Sequence, residues 1–179
     1  MIPKEVFLSH SSLNRGTASE IASTLRNHGV PVWYSPTNIR SAQQWQDEIG
    51  KALRRCDWFV VLLSEESVGS KWVKLELNYA LSHSQYDEHV LPIRLDGCDP
   101  EKLSWTLGIF QQVELNGAPD TAYSQILNTW GLGFDVSKCP AATSPVAKRV
   151  AGKPAAGNSS VVGKRRTGVG KSSSGRRRA

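Results

Sequence analysis

Cysteine is scarce in this sequence, and glycine-rich nucleotide-binding motifs are missing from its first part. The 179 residues include three cysteines, Cys56, Cys98 and Cys139, which are widely spaced and form no CxxC pair. This spacing predicts neither a disulfide framework nor a zinc site, and it favours a reducing compartment. No GxGxxG motif follows the first apolar run, which argues against a conventional dinucleotide-binding fold.

Segments that would direct the chain to a membrane are also lacking. No stretch approaches the roughly 18 apolar residues that a membrane span requires. The first residues, Met1 to Glu5, lack the apolar run of a signal peptide. The sequence therefore predicts a cytoplasmic protein without a transmembrane segment.

Aromatic residues are absent from the last quarter of the chain. All 14 of them lie between Phe7 and Phe134. The remaining residues can bury little apolar area to offset an ordering entropy of roughly 1–2 kcal/mol per residue. We therefore predict a folded domain at residues 1–134 and a disordered tail at residues 135–179.

Acidic residues are nearly absent from that tail. Residues 135–179 carry 11 Lys and Arg and one Asp, a net charge of +10. Residues 1–134 carry 11 Lys and Arg and 15 Asp and Glu, a net charge of −4. A basic, disordered segment binds polyanions by counterion release without reading sequence. Nucleic acid or an anionic membrane surface is therefore an expected partner of the tail. An inert, solubilising extension is the alternative.

Apolar runs alternate with helical patterns through the predicted domain. The run of six apolar residues from Trp58 to Leu63 indicates a strand buried on both faces, at the centre of a sheet. Pro31 cannot donate a backbone hydrogen bond and places its strand at an edge. The five predicted strands are 6–8, 30–34, 58–63, 90–95 and 110–115.

This alternation predicts an α/β fold, a flavodoxin-like five-stranded parallel sheet with helices on both faces and the strand order 2-1-3-4-5. In such sheets, ligands bind beyond the carboxyl ends of the strands at the point where the strand order reverses. Strands one and three flank that point here. The binding crevice should therefore be bordered by Ser9, His10 and Ser11 after strand one and by Ser64 after strand three.

The helix predicted after the central strand contains a tryptophan and a glutamate one turn apart. Val73 and Leu77 belong to its apolar stripe, and Trp72 and Glu76 fall on a neighbouring stripe about a quarter-turn away. Glu76 should therefore lie at the flank of the helix, beside the crevice. A carboxylate next to an aromatic ring suits a cationic ligand. A solvated glutamate and a packing tryptophan are the alternative.

Five short motifs occur in order across the predicted domain. They are Val6 to Ser12 (VFLSHSS), Val32 to Tyr34 (VWY), Trp45 to Leu53 (WxxEIxxAL), the strand from Cys56 to Ser64, and Ser70 to Leu77 (SxWxxxEL). Together they resemble a TIR (Toll/interleukin-1 receptor) domain of the prokaryotic stand-alone kind over residues 4–132. The loop from Ser35 to Ala42 departs from this pattern, because it lacks the acidic residue and the Pro-Gly pair often found there.

The resemblance implies an enzymatic function. In catalytic members of the family, the glutamate of the last motif is required for cleavage of NAD, and Glu76 matches it. The chain is then expected to be an NAD+ nucleosidase that yields nicotinamide and ADP-ribose or a cyclic ADP-ribose, in immune or stress signalling such as antiviral defence. NAD would be the substrate, with no cofactor and no metal. The candidate substrate-binding residues are Ser9, His10, Tyr34, Ser35 and Trp72.

A single carboxylate can suffice for this reaction because nicotinamide leaves a pyridinium as a neutral molecule, whereas an alkoxide leaving group needs a general acid. Ionised Glu76 would stabilise the positive charge that develops on the ribose. Two alternatives remain open. One is a non-catalytic module that associates with itself or with other TIR domains, and the other is an enzyme acting on nucleic acid bound through the tail.

Overall fold

The computed structural model describes residues 1–35 and 42–140. Within that part of the chain, the strands are β1 (Val6–Ser9), β2 (Val32–Trp33), β3 (Trp58–Leu63), β4 (Val90–Arg94) and β5 (Val113–Glu114). They form one parallel sheet in the order β2-β1-β3-β4-β5. The predicted order is confirmed, with β3 at the centre and β2 at an edge.

Helices cover both faces of this sheet. The helices are α1 (Arg15–Asn27), α2 (Ala42–Arg55), a single turn α3 (Glu65–Val68), α4 (Lys71–Leu81) and α5 (Pro119–Thr129). Buried side chains of α1 and α5 pack on one face, and those of α2 and α4 pack on the other. The predicted arrangement of helices on both faces is therefore confirmed.

The central strand contributes to two hydrophobic cores because its side chains alternate between the faces of the sheet. Val60 and Leu62 pack towards α1 and α5, and Phe59, Val61 and Leu63 pack towards α2 and α4. All five are completely buried. This double burial is the physical reason for the unbroken apolar run in the sequence.

Two local features differ from the sequence-based prediction. The predicted loop after β3 contains α3, because Ser64 and Ser67 form a reciprocal cap: the Ser64 Oγ accepts from the Ser67 backbone N–H at 3.1 Å, and the Ser67 Oγ accepts from the Ser64 N–H at 2.7 Å. The edge strands β2 and β5 are only two residues long each. Each of them pairs with a neighbour on one side only.

Residues just beyond Phe134 contact the end of α1. The Asp135 backbone N–H donates to His28 Nε2 at 3.0 Å, and Asn27 Nδ2 donates to the Lys138 carbonyl at 2.8 Å. Residues 141–179 lie outside the described residues, so the domain boundary at 134, the disorder of the tail and its polyanion partners stay predictions. Residues 36–41, most of the atypical loop after β2, lie outside them as well.

The three cysteines are present as free thiols. Cys56 and Cys98 are buried, and Cys139 is half-buried. Burial raises the pKa of the Cys98 thiol to about 11. These thiols therefore remain protonated at neutral pH and serve as small apolar groups. Among the helices that the structure describes, none is long and apolar enough to cross a membrane.

Candidate active site

A crevice of about 230 Å³ opens beyond the carboxyl ends of β1 and β2, against the first turns of α4. Ser64, which the sequence placed at its border, is not in the lining. The Ser64 Oγ instead donates to Asn14 Oδ1 at 2.8 Å and caps α3. The crevice is lined by Phe7, Leu8, His10, Ser12, Arg15, Trp33, Ser35, Trp45, Ser70, Trp72 and Glu76.

Glu76 projects from α4 into this lining. The helix begins at Lys71, and the side chain of the preceding Ser70 caps it by accepting from the Val73 backbone N–H at 3.4 Å. Val73 and Leu77 are buried in the core between α4 and the sheet. Only 8% of Glu76 is exposed. The glutamate therefore lies beside the crevice, at the flank of the helix, and is more deeply buried than an ordinary surface carboxylate.

Among the residues that the structure describes, the carboxylate of Glu76 has one polar contact, a hydrogen bond from Ser9 Oγ to Glu76 Oε2 at 2.6 Å. Removal from water raises the pKa of Glu76 to about 7, and the bond from Ser9 acts in the opposite direction. No Lys, Arg or His in the described ranges forms an ion pair with it. Within residues 1–35 and 42–140, the site thus contains a buried carboxyl group without a counter-ion.

Ser9 lies behind Glu76 rather than in the lining of the crevice. It was predicted to bind substrate, and that role stays a prediction. Its observed contact is with the carboxylate. A hydrogen bond to a charged acceptor contributes about 1.5–3 kcal/mol. Ser9 therefore fixes one oxygen of Glu76 and favours its ionised form.

Ser9→Ala is expected to raise the pKa of Glu76 further, because the substitution removes the contact that favours the anion and leaves the burial unchanged. The measurement is an NMR titration of the Glu76 carboxyl carbon in the wild type and the variant. Ser19→Ala, a hydroxyl deletion on α1, provides the control. An unchanged titration midpoint in Ser9→Ala would contradict the assigned hydrogen bond.

Tryptophan side chains form one wall of the crevice. Trp72 is 41% exposed. Its ring meets that of Trp45 edge to face, with centroids 4.4 Å apart at an angle of 89°. Trp45 Nε1 donates to Ser35 Oγ at 2.6 Å. Trp45 and Ser35 thus orient Trp72, and much of its surface is left free for a ligand.

His10 and Tyr34 occupy different positions relative to the crevice. His10 lines it, and its pKa is lowered chiefly by burial and further by the charge of Arg15, against an opposing backbone hydrogen bond to Leu8. Tyr34 does not line it, because successive residues of an extended strand face opposite sides and Trp33 takes the crevice side. Tyr34 packs on the α1 face, with Arg26 at 5.4 Å from its ring centroid.

Seven of the eleven lining residues were not predicted as site residues, and Trp45 and Arg15 are the two that bear on the chemistry of the site. Trp45 was named only as part of one of the five motifs, although its ring pairs with that of Trp72. Arg15 was not singled out, although it is a cation in the first turn after β1. Its position next to the strand-order reversal was the signal that could have found it. In the described part of the chain, no group of three or more His, Cys, Asp or Glu side chains could hold a metal ion.

A protein-family comparison decides the classification. The family model described as TIR domain matches residues 6–127, which include all five strands and every crevice-lining residue. The chain belongs to the TIR-domain family. Its parallel sheet and the crevice beside β1 are therefore those of a TIR domain.

Curated relatives of this TIR domain are distant. It is 29% identical over 93 residues to the probable 2' cyclic ADP-D-ribose synthase TcpO of Methanobrevibacter olleyae, covering 51% of this chain and 27% of the relative. It is 26% identical over 92 residues to the NAD(+) hydrolase TcpC of Escherichia coli O6:H1, covering 50% and 30%. The match thus spans less than a third of the length of either relative.

A solved structure shows the same fold. The TIR domain of the Toll-related Receptor TRR-2 from Hydra magnipapillata superposes with a TM-score of 0.57 at 14% identity. The superposition covers 70% of this chain and 94% of that one. The fold is therefore shared across very different sequences.

Proposed function

We propose that this TIR domain is an NAD+ nucleosidase that breaks the bond between nicotinamide and ribose, giving ADP-ribose or a cyclic ADP-ribose. The observation that carries the proposal is Glu76, a buried carboxyl group in the lining of a crevice, without a cationic partner in the described part of the chain. The names of the curated relatives support the same reaction.

A buried carboxyl group of this kind suits a cationic substrate. An opposite charge within about 4–6 Å favours the ionised form of a carboxyl group. The pyridinium ring of NAD would supply that charge, so binding of NAD would lower the pKa of Glu76 below its value of about 7 in the free protein. The substrate itself would then convert Glu76 to the carboxylate that the reaction needs.

The ionised carboxylate would stabilise the positive charge that develops on the ribose as the bond to nicotinamide breaks. A fixed charge aimed at a developing charge is commonly a major source of rate enhancement in enzymes. Nicotinamide departs as a neutral molecule, so a second carboxyl group acting as a general acid is unnecessary. Water then forms the new bond to the ribose carbon and releases a proton, giving ADP-ribose, or a nucleophilic group of the same molecule forms that bond, giving a cyclic ADP-ribose. One glutamate in the lining is sufficient for this chemistry, without a cofactor or a metal.

The volume of the crevice limits what it can enclose. Pockets that bury a whole drug-sized ligand measure about 300–1,000 Å³, and this crevice measures about 230 Å³. It would enclose one ring system, such as the nicotinamide ring with part of its ribose. The remaining part of the dinucleotide would lie along the surface.

Trp72→Ala is expected to lower kcat/KM for NAD by about twofold to thirtyfold, because cation-to-aromatic attraction contributes about 0.5–2 kcal/mol. Trp72→Phe keeps an aromatic face, so its kcat/KM for NAD should decrease less than that of Trp72→Ala. Steady-state kinetics of nicotinamide release measures both effects. Leu75→Ala is the control, because Leu75 is an exposed apolar residue of the same helix and does not line the crevice. Equal losses in Trp72→Ala and Leu75→Ala would contradict a ring-binding role.

The experiment that tests the proposed function is incubation of the full chain with NAD, followed by chromatography of the products. Nicotinamide should appear together with linear or cyclic ADP-ribose. The incubation is repeated with a crowding agent and with added nucleic acid, because self-association or a polyanion on the tail could control activity. Absence of nicotinamide under all three conditions would overturn the proposal.

The second candidate function is a non-catalytic signalling module that binds other TIR domains in the cytoplasm. The side chain of Ile109, which is 73% exposed, favours it because Ile109 lines a separate groove of about 300 Å³. Sedimentation of the wild type and of Ile109→Ala tests for self-association through this groove. A module of this kind would not require the carboxylate of Glu76.

A further inference from the structure

The crevice has opposite charges on different elements. Of the lining residues that the structure describes, Glu76 on α4 is the acidic one and Arg15 at the start of α1 carries a fixed positive charge. His10 lies in the same lining, but burial lowers its pKa and keeps it mostly neutral at pH 7. A ligand that carries both a cation and an anion would be bound in one orientation by such a crevice.

Arg15 is available to a ligand. No carboxylate in the described residues forms an ion pair with it, and its side chain is exposed. Its charge is close enough to His10 to lower the pKa of that imidazole, which places the guanidinium near the crevice. Nothing lies within 4 Å of the position that a Cβ on Gly16 would occupy. The start of α1 is therefore open to an approaching group.

The geometry points to Arg15 as the residue that binds the pyrophosphate of the dinucleotide and thereby turns its cationic ring towards Glu76. This inference rests on the function proposed above. Guanidinium presents planar, paired donors that match phosphate oxygens. The Ser12 hydroxyl, one turn before Arg15 in the same lining, can add a further donor. The reversed orientation would place phosphates beside Glu76, where like charges repel.

The inference is tested with Arg15→Gln and with two substrates, NAD and nicotinamide riboside. Nicotinamide riboside retains the bond that is cleaved and lacks phosphate. We expect Arg15→Gln to lower kcat/KM for NAD about tenfold or more, mainly by raising KM, and to leave nicotinamide riboside unaffected. Lys74→Gln, which removes a cation from the solvent face of α4, should change neither substrate. Equal losses on both substrates in Arg15→Gln would overturn the inference.

A binding measurement separates this inference from the proposed reaction. Calorimetry with inorganic pyrophosphate compares the wild type, Arg15→Gln and Lys74→Gln, all of which carry the same basic tail. Weaker binding in Arg15→Gln alone supports the anion site, and equal binding in all three proteins overturns it. A protein that releases no nicotinamide but binds pyrophosphate through Arg15 would overturn the nucleosidase function and leave the anion site standing.

Discussion

Glu76→Gln is expected to lower the rate of nicotinamide release from NAD at least a hundredfold. The substitution keeps the size of the side chain and its ability to contact Ser9, and it removes the charge. Loss of one preorganised group that stabilises developing charge typically reduces kcat by about a hundredfold to a thousandfold. The expected loss lies in kcat, because the interaction strengthens as positive charge appears on the ribose.

The measurement is kcat from initial rates of nicotinamide release at a saturating concentration of NAD. Glu20→Gln is the matched control, because Glu20 is an exposed glutamate on α1 and its substitution removes the same charge. Circular dichroism of each protein verifies the fold. Wild-type kcat in Glu76→Gln would rule out the carboxylate as the group that stabilises the transition state.

The fold could be predicted because its strongest determinants are local. The apolar run from Trp58 to Leu63 identified the central strand, and Pro31 identified an edge strand, since each feature follows from burial or from a missing donor within the strand itself. Helical periodicity placed Glu76 at the flank of α4 for the same reason. The cap formed by Ser64 and Ser67 was missed, because serine at both ends is a weak signal of a capping box.

The site could be predicted only in part, because its contacts join residues far apart in the chain. The bond from Ser9 to Glu76 spans 67 positions. The pairing of Trp45 with Trp72 requires α2 and α4 to meet above the same strands. Neither the hydrophobic periodicity of a segment nor the spacing of its residues predicts which distant segments it will contact. The raised pKa of Glu76, about 7, likewise follows from burial, which depends on the assembled crevice.

The second prediction with a large effect concerns stability. Glu76→Gln is expected to unfold at a higher temperature than the wild type at about pH 8, by roughly 10 °C, and to differ much less at about pH 4. The reason is the raised pKa of Glu76, which is about 7 in the folded protein against an ordinary value of 4.5. The glutamine has no proton to lose in either state.

The direction of the effect follows from proton linkage. Below pH 4.5 the carboxyl group is protonated in both states. As the pH rises towards 7, the unfolded chain loses the proton while the folded protein retains it, so the free energy of unfolding of the wild type decreases. The decrease levels off above pH 7 and amounts to about 3 kcal/mol. Other carboxyl groups titrate alike in both proteins, so the difference between their melting curves isolates Glu76.

Thermal melting of the wild type, Glu76→Gln and Glu20→Gln between about pH 4 and pH 9 measures this effect. The Glu20→Gln curve should follow that of the wild type. A structural glutamate paired with a cation would behave in the opposite way, and its replacement would destabilise the protein at high pH. A gain in stability together with a loss of turnover in the same variant identifies a carboxylate that opposes folding and serves the reaction.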